Sequence, residues 1–127
     1  MDPRFEEVAE VIGCYFAGLR HSDATGLADV FHPQAIYACA SEGALTQLSM
    51  AEYLAVVAAR PSPASRGEAS MDEIVSIAFA GPVTAQAMVK CAIGPKRFTD
   101  FLTFVKLAGR WRIIAKVFHF ELAVEAA

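Results

Sequence analysis

A chain of 127 residues with 55% hydrophobic and 20% charged side chains matches the size of one domain, residues 1–127, and is too apolar to stay disordered. Its formal net charge of −3 argues against nucleic acid as a partner, because that function needs a basic stripe and the nearest clusters, Lys96-Arg97 and Arg110 to Arg112, read as solvated strand ends. So large an apolar share favours an internal cavity, a subunit interface, or both.

The first residues, Met1 to Glu7, lack the basic-then-apolar pattern of a secretory signal. The longest apolar run, around 53–59, is far shorter than the ~20 residues that cross a bilayer, so no membrane partner is expected. Cys14, Cys39 and Cys91 are odd in number and far apart, with no Cys-x-x-Cys pair. They read as reduced core cysteines of a cytoplasmic protein, with neither a disulfide frame nor a metal site.

In chain order, Asp2-Pro3 supplies a helix cap and first turn. Phe5, Val8, Ile12, Tyr15, Phe16 and Leu19 recur at helical spacing over 3–20. Val11, Cys14 and Gly18 widen the stripe, which predicts burial on more than one side. A second helix is expected over 23–31, carrying Leu27, Val30 and Phe31 inward and stopped by His32-Pro33. Strands are expected at 35–40 and 44–48 around a Ser41-Glu42-Gly43 turn. Ser49-Met50-Ala51-Glu52 is a capping box that opens a helix over 49–60, and Pro61, Pro63 and Gly67 mark a loop.

From residue 70 the period changes to two. Strands are expected at about 70–80, 83–93, 97–107 and 110–120, with Val83, Ala85, Ala87, Val89, Cys91 and Ile93 on one face of the second and Thr84, Gln86 and Lys90 on the other. Three helices with a short hairpin among them, followed by a four-stranded meander, make an α+β domain whose helices cover a curved sheet.

Charge falls where apolar side chains are expected. Asp100 shares a strand face with Phe98, Leu102 and Phe104, and Lys116 shares one with Ile114, Phe118 and Phe120. Such charges are costly unless paired or set in the wall of a wet cavity. A strict two-residue turn at Ala108-Gly109 would set Asp100 opposite Val117, facing away from Lys116. A three-residue loop with Gly109 left-handed would set it directly opposite Lys116, with Phe98 opposite Phe118. The second register is preferred, because it gathers Trp111, Ile113, Ala115 and Val117 on the other, apolar face. The pair then reads either as a cross-strand ion pair with no further role or as the polar floor of a pocket. A neighbouring ammonium weakens Asp100 as a base and favours binding over catalysis.

His32, in a loop beside a proline, is the second candidate for acid–base work, although such a histidine usually packs locally. His21 suits a helix end. His119 faces either the core or an interface. The His119-Phe120-Glu121 triplet is too little for zinc, so no metal is expected. The sequence holds no Gly-x-Ser-x-Gly elbow, phosphate loop or dinucleotide fingerprint, and no cofactor is expected.

Several strings in order resemble one superfamily. Tyr15, Gly18, Asp23, Leu27 and Phe31-His32-Pro33-Gln34-Ala35 are similar to the start of nuclear transport factor 2-like domains, within the branch described as lumazine-binding. Gly43-x-Leu45, Leu48-Ser49 and Tyr53-Leu54 resemble its middle. Phe98-x-Asp100-Phe101-Leu102-Thr103, Gly109-Arg110-Trp111-Arg112-Ile113 and Lys116-Val117-Phe118 resemble its end. Gln34 replaces the acid usual in the His-Pro-Asp-Ala string, so no role of that acid carries over. The resemblance implies a cone-shaped, cystatin-like α+β fold with three helices on a bent, mixed, mostly antiparallel sheet, and a homodimer through the sheet's outer face. The superfamily includes ketosteroid isomerase, scytalone dehydratase and SnoaL-like cyclases, which move protons with pocket Asp or His residues, beside many non-enzymatic binders.

Three functions therefore stand. The first is a binder of a small apolar or aromatic ligand in an enclosed pocket between the first helix and the sheet. Tyr15, Phe16, Leu19, Phe31, Tyr37, Tyr53, Phe98, Lys116 and Phe118 would line it. The second is a cofactor-free isomerase, dehydratase or cyclase with Asp100 or His32 transferring the proton. The third is a dimeric interaction module whose cavity is filled by its own side chains.

Overall fold

The computed structural model describes residues 2–123. Asp2 caps the first helix by accepting the Arg4 N–H at 2.9 Å, with proline at the first turn, and α1 runs Pro3–Arg20. The α1 stripe is narrower than its composition suggests. Val8, Ile12, Tyr15, Gly18 and Leu19 are buried, whereas Cys14 and Phe5 are exposed, so Cys14 is no core cysteine. Helix α2, Ala24–Val30, is capped by Asp23 and crosses α1 at Gly18. A Cβ there would sit 2.6 Å from the Leu27 Cδ2, so the close approach of the two helices requires glycine.

Strand β1, Phe31–Cys39, begins four residues before its expected start and takes in His32-Pro33. Its pairing is irregular between Phe31 and Ile36, which is where a strand can accommodate a proline that has no N–H to donate. After β2, Thr46–Leu48, the Ser49 capping box forms as expected: Ser49 Oγ accepts the Glu52 N–H at 3.1 Å, and Glu52 Oε1 accepts the Ser49 N–H at 2.9 Å. It opens α3, Met50–Ala59. One 3₁₀ turn, Ala64–Arg66, leads to β3, Glu73–Phe79; β4, Thr84–Ile93; β5, Lys96–Leu107; and β6, Arg110–Leu122.

The six strands form one sheet in the order β2-β1-β6-β5-β4-β3, with β1 and β6 parallel and the remaining pairs antiparallel. Alternation on β4 holds for Ala85, Ala87, Val89 and Cys91, which are buried, whereas Val83 lies just before the strand and is exposed and Ile93, at its end, is half-buried. The helices close over this inner face, and Ile12, Leu27, Leu102, Phe104 and Ile113 form the packed centre.

Two features of the β5–β6 hairpin set the position of the buried charges. Leu107 pairs with Arg110, so the turn is the strict two-residue Ala108-Gly109, with φ of 50° and 74° as in a type I′ turn. The preferred three-residue loop is therefore wrong. Further along, pairing passes from Phe104–Ile113 to Thr103–Ala115, leaving Ile114 as the extra residue of a β-bulge. The bulge inverts the alternation of β6. Trp111 and Ile113 point inward before it; Lys116 and Phe118 point inward after it, and Val117 outward. Asp100 thus lies opposite Phe118, Leu102 opposite Lys116, and Phe98 opposite Phe120. Asp100 and Lys116 share the inner face as diagonal neighbours, not as a direct pair.

Ala108 carries a left-handed backbone at a steric cost that Asn bears far better. Ala108→Asn is expected to stabilise the chain by about 0.5–1 kcal/mol, read as a higher urea midpoint with an unchanged slope.

Candidate functional site

Two charged side chains lie in the apolar interior, Asp100 at 0% exposure and Lys116 at 5%. Tyr15, from α1, donates its hydroxyl to Asp100 Oδ2 at 2.5 Å, and the Cys91 thiol lies 3.9 Å from the same oxygen. Asp100 Oδ1 has no hydrogen-bond partner among the described residues. Lys116 points its ammonium into a ring of aromatics: the centroids of Phe118, Tyr15, Tyr53 and Tyr37 lie 5.0, 5.1, 5.1 and 5.5 Å away. The Tyr53 hydroxyl accepts from it at 3.5 Å. Four ring faces partly replace the water that the ammonium loses.

These surroundings shift several protonation equilibria. Burial opposes the charge on Lys116, but the acidic groups around it, Tyr53 and Asp100 first, outweigh burial and hold its pKa above the ordinary value. Tyr15 is pushed well above the usual tyrosine range by burial, with the Asp100 charge adding to the effect. Cys91 is pushed up to about 12 for the same two reasons in the same order. The cluster is thus set to keep its protons.

No large cavity separates α1 from the sheet at this point. Tyr15, Phe31 and Tyr53 are almost fully buried, with Tyr15–Phe31 and Phe31–Tyr53 ring centroids 5.9 and 5.7 Å apart, and their rings fill the expected pocket. Phe16 and Leu19 border a hollow of only about 10 Å³, room for about one water. Several open clefts of about 330–450 Å³ lie elsewhere on the surface, and the one lined by four of the aromatics is at the end of the sheet where the β4–β5 turn faces the C-terminal end of α3. There a cleft of about 370 Å³ opens to solvent, so the pocket is not enclosed.

Tyr37, Phe98, Phe118 and Phe120 form the aromatic side of the cleft. Their rings are in contact, Tyr37–Phe118 at 4.9 Å, Phe98–Phe118 at 5.8 Å and Phe98–Phe120 at 5.9 Å between centroids. Arg60, Arg66, Lys96 and Glu42 supply the charge. Lys116 and Asp100 do not line the cleft. Lys116 lies behind it, with its ammonium against the Phe118 and Tyr37 rings that the cleft presents on the other side.

Of the expected ligand contacts, then, Tyr37, Phe98 and Phe118 meet at one cleft, while Tyr15, Phe31, Tyr53 and Lys116 form the packed layer behind it. His32, the alternative proton-transfer candidate, lies on β1 with its Nδ1 accepting the Gln34 N–H at 3.0 Å. His119 is exposed on the outer side, 2.7 Å from Ser41 Oγ through Nδ1. No group of metal-ligating side chains is present among the described residues. Sequence reasoning missed Arg60 and Lys96. Phe120 was visible as the next inward residue after Lys116 and Phe118, but Arg60 carries no local sign beyond its place at a helix end.

Comparison with known proteins places this geometry. Nothing among curated proteins matches the chain. A nuclear transport factor 2-like protein of unknown function from Shewanella baltica is 25% identical with a TM-score of 0.83, the match covering 94% of this chain and 95% of that one. One from Novosphingobium aromaticivorans, described as having a cystatin-like fold, is 18% identical with a TM-score of 0.64, covering 96% and 83%. A ketosteroid isomerase-like protein from Erwinia carotovora atroseptica shares the fold at 10% identity and a TM-score of 0.74, covering 94% and 98%. A family profile described as "Putative lumazine-binding" matches residues 3–119, and the chain belongs to that family, within the nuclear transport factor 2-like superfamily.

Proposed function

We propose that the chain binds a small, flat, largely apolar molecule in the cleft at the open end of the cone. The observation that carries this reading is a solvent-open hollow of about 370 Å³ with four aromatic rings along one side, joined in a row of contacts from Tyr37 through Phe118 and Phe98 to Phe120, a volume within the usual range for small-ligand sites. Lys116 lies against two of those rings, Tyr37 and Phe118, which makes it a positioning group in this reading.

A second reading, proton transfer by Asp100, has one observation in its favour: the unpartnered Oδ1 of a buried carboxylate. Against it, the carboxyl is fully buried behind the aromatic layer. Titrating ¹⁵N-labelled protein with 2-naphthamide distinguishes the main reading. Saturable shifts are expected at the amides of Tyr37, Phe98, Phe118 and Phe120, and shifts confined to α1 or scattered over the surface would refute it. Asp100→Asn is expected to weaken that binding only modestly.

The outer sheet face supports a homodimer. Phe101, Val117 and Ile36 there are 47%, 48% and 49% exposed, more apolar surface than an isolated strand face usually leaves in water. The pairings Phe101–Val117 and Val117–Ala38 make that patch continuous across three strands. A Phe101→Lys variant is expected to sediment as a monomer at concentrations where the parent sediments as a dimer; a parent that sediments as a monomer sinks the idea. Among the described residues no helix is long and apolar enough to cross a membrane, and three free thiols suit a reducing, cytoplasmic setting.

A further inference from the structure

The wall of the cleft holds a thiol that the aromatic rings do not account for. Cys39, on β1, is one of the residues lining it and is 6% exposed. Its sulfur accepts the Ser41 N–H at 3.4 Å, and its S–H donates to Ser41 Oγ at 3.3 Å. That oxygen also accepts the Phe120 N–H at 3.1 Å. A hydroxyl has two acceptor positions and one proton, so with both positions taken only the proton is free to bond. His119 Nδ1 receives it, 2.7 Å away. The network therefore assigns Nδ1 as an acceptor and puts the imidazole proton on Nε2, which faces Glu121 Oε1 at 3.6 Å.

Thiol, hydroxyl, imidazole and carboxylate thus stand in line from the cleft to the outer face of the sheet. Nucleophile, base and orienting acid are the parts of an activated nucleophile, here with one hydroxyl interposed. Cys91 is placed oppositely, against the Asp100 carboxylate, whose charge opposes a thiolate. In the cleft the charge suits one, because Arg60, Arg66 and Lys96 outnumber Glu42. The charged groups that share the outer hollow with His119 are Glu121 on its own strand, Arg97 on β5, Lys90 on β4 and Glu73 on β3.

Resting on the ligand-cleft reading, we propose that Cys39 is a nucleophile and that the cleft takes flat conjugated carbonyl compounds, to which the thiol adds. As the thiol proton passes to Ser41 Oγ, the Ser41 proton passes to His119 Nδ1, and Glu121 balances the imidazolium. A sulfur lone pair forms a C–S bond at the β-carbon while the C=C π pair shifts toward the carbonyl. The α-carbon then takes one proton from solvent, and His119 returns its own to solvent. Nothing is oxidised or reduced.

The test treats the folded chain carrying Cys14→Ser, which removes the exposed thiol, with iodoacetamide and locates the adduct by peptide mass mapping. Cys39 is expected to react, at a rate that rises between about pH 5 and pH 8, where histidine loses its proton. Ser41→Ala and His119→Gln should each slow the reaction at least roughly tenfold at neutral pH and move the rise above about pH 8, toward an unassisted thiol. Ser41→Thr, which keeps a hydroxyl, should retain most of the rate. The flat ketone 4-phenyl-3-buten-2-one should give a single adduct at Cys39.

An unlabelled Cys39 overturns the proposal, and so does equal labelling of the parent and Ser41→Ala. Labelling that depends on Ser41 and His119 but yields no ketone adduct overturns the ligand class. Protection of Cys39 by 2-naphthamide judges the cleft reading separately: without protection that reading falls, whatever the thiol does. Circular dichroism checks each variant. If Ser41→Ala does not fold, His119→Gln, at an exposed position, carries the decision.

Discussion

Asp100→Ala is expected to destabilise the chain by about 3–5 kcal/mol, the scale of removing one member of a buried charged set. Three losses combine. Lys116, at 5% exposure, keeps its ammonium in the core without the carboxylate on its own sheet face. The Tyr15 hydroxyl loses the acceptor that satisfied it at 2.5 Å. A void replaces a side chain at 0% exposure. Equilibrium urea denaturation measures the effect.

The same account predicts that Lys116→Met, added to Asp100→Leu, recovers most of the loss, because apolar replacement of both members removes the desolvation penalty along with the attraction. The aromatic ring around Lys116 sharpens the test. If cation–π contacts alone sustain the ammonium, Asp100→Ala will cost only the Tyr15 hydrogen bond and the void, about 1–3 kcal/mol. That outcome would remove Asp100 from the account of how Lys116 is held.

The second large effect is alkaline. Cys91, Tyr15 and Lys116 each hold a proton in the folded chain that the unfolded chain releases at lower pH. When the folded state binds more protons than the unfolded one, stability falls as pH rises. The contribution of each group is fully present below its unfolded pKa and is lost as pH climbs toward its folded one. Cys91 begins the decline near its unfolded value of 9.0 and completes it at about 12; tyrosine and lysine join from 10.0 and 10.5.

Cys91 alone, at about 1.4 kcal/mol per pH unit, loses about 2–3 kcal/mol between pH 9 and pH 11, and tyrosine and lysine add to that loss. Unfolding free energies from urea titrations at stepped pH test this. Cys91→Ala should delay the onset by roughly one pH unit, to where tyrosine begins to ionise. A flat profile to pH 11 would mean that these groups are hydrated in the folded state.

Most of the fold was readable because its signals are local. A cap and proline at Asp2-Pro3, the capping box at Ser49 and Glu52, and strict alternation along β4 each act within a few residues, and each appears where expected. Element edges were less legible. The start of β1 at Phe31 depends on pairing with Ile113, some eighty residues away, and that contact overrides the proline nearby.

The presence of a carboxylate and an ammonium on apolar strand faces was likewise plain, since Asp100 and Lys116 break rows of Phe and Leu. Their relation was not. It turns on Ile114, an ordinary β-branched residue with no glycine or proline beside it to announce a bulge, and the cause lies in how β6 bends between β1 and β5. The cleft was hidden for a related reason. Its sides come from α3, β1, the β4–β5 turn and β6, so its place follows from the volume that Tyr15, Phe31 and Tyr53 occupy behind it.

The sequence alone determined an α+β chain with helices over a curved sheet and two charges inside it, because capping, periodicity and the cost of burying charge all operate on neighbours along the chain. Only the tertiary structure decided that those charges sit diagonally, that the expected pocket is packed with tyrosine and phenylalanine, and that an aromatic-sided cleft opens where the β4–β5 turn faces α3. Each of these depends on side chains far apart in sequence competing for the same space, and no local pattern encodes the winner.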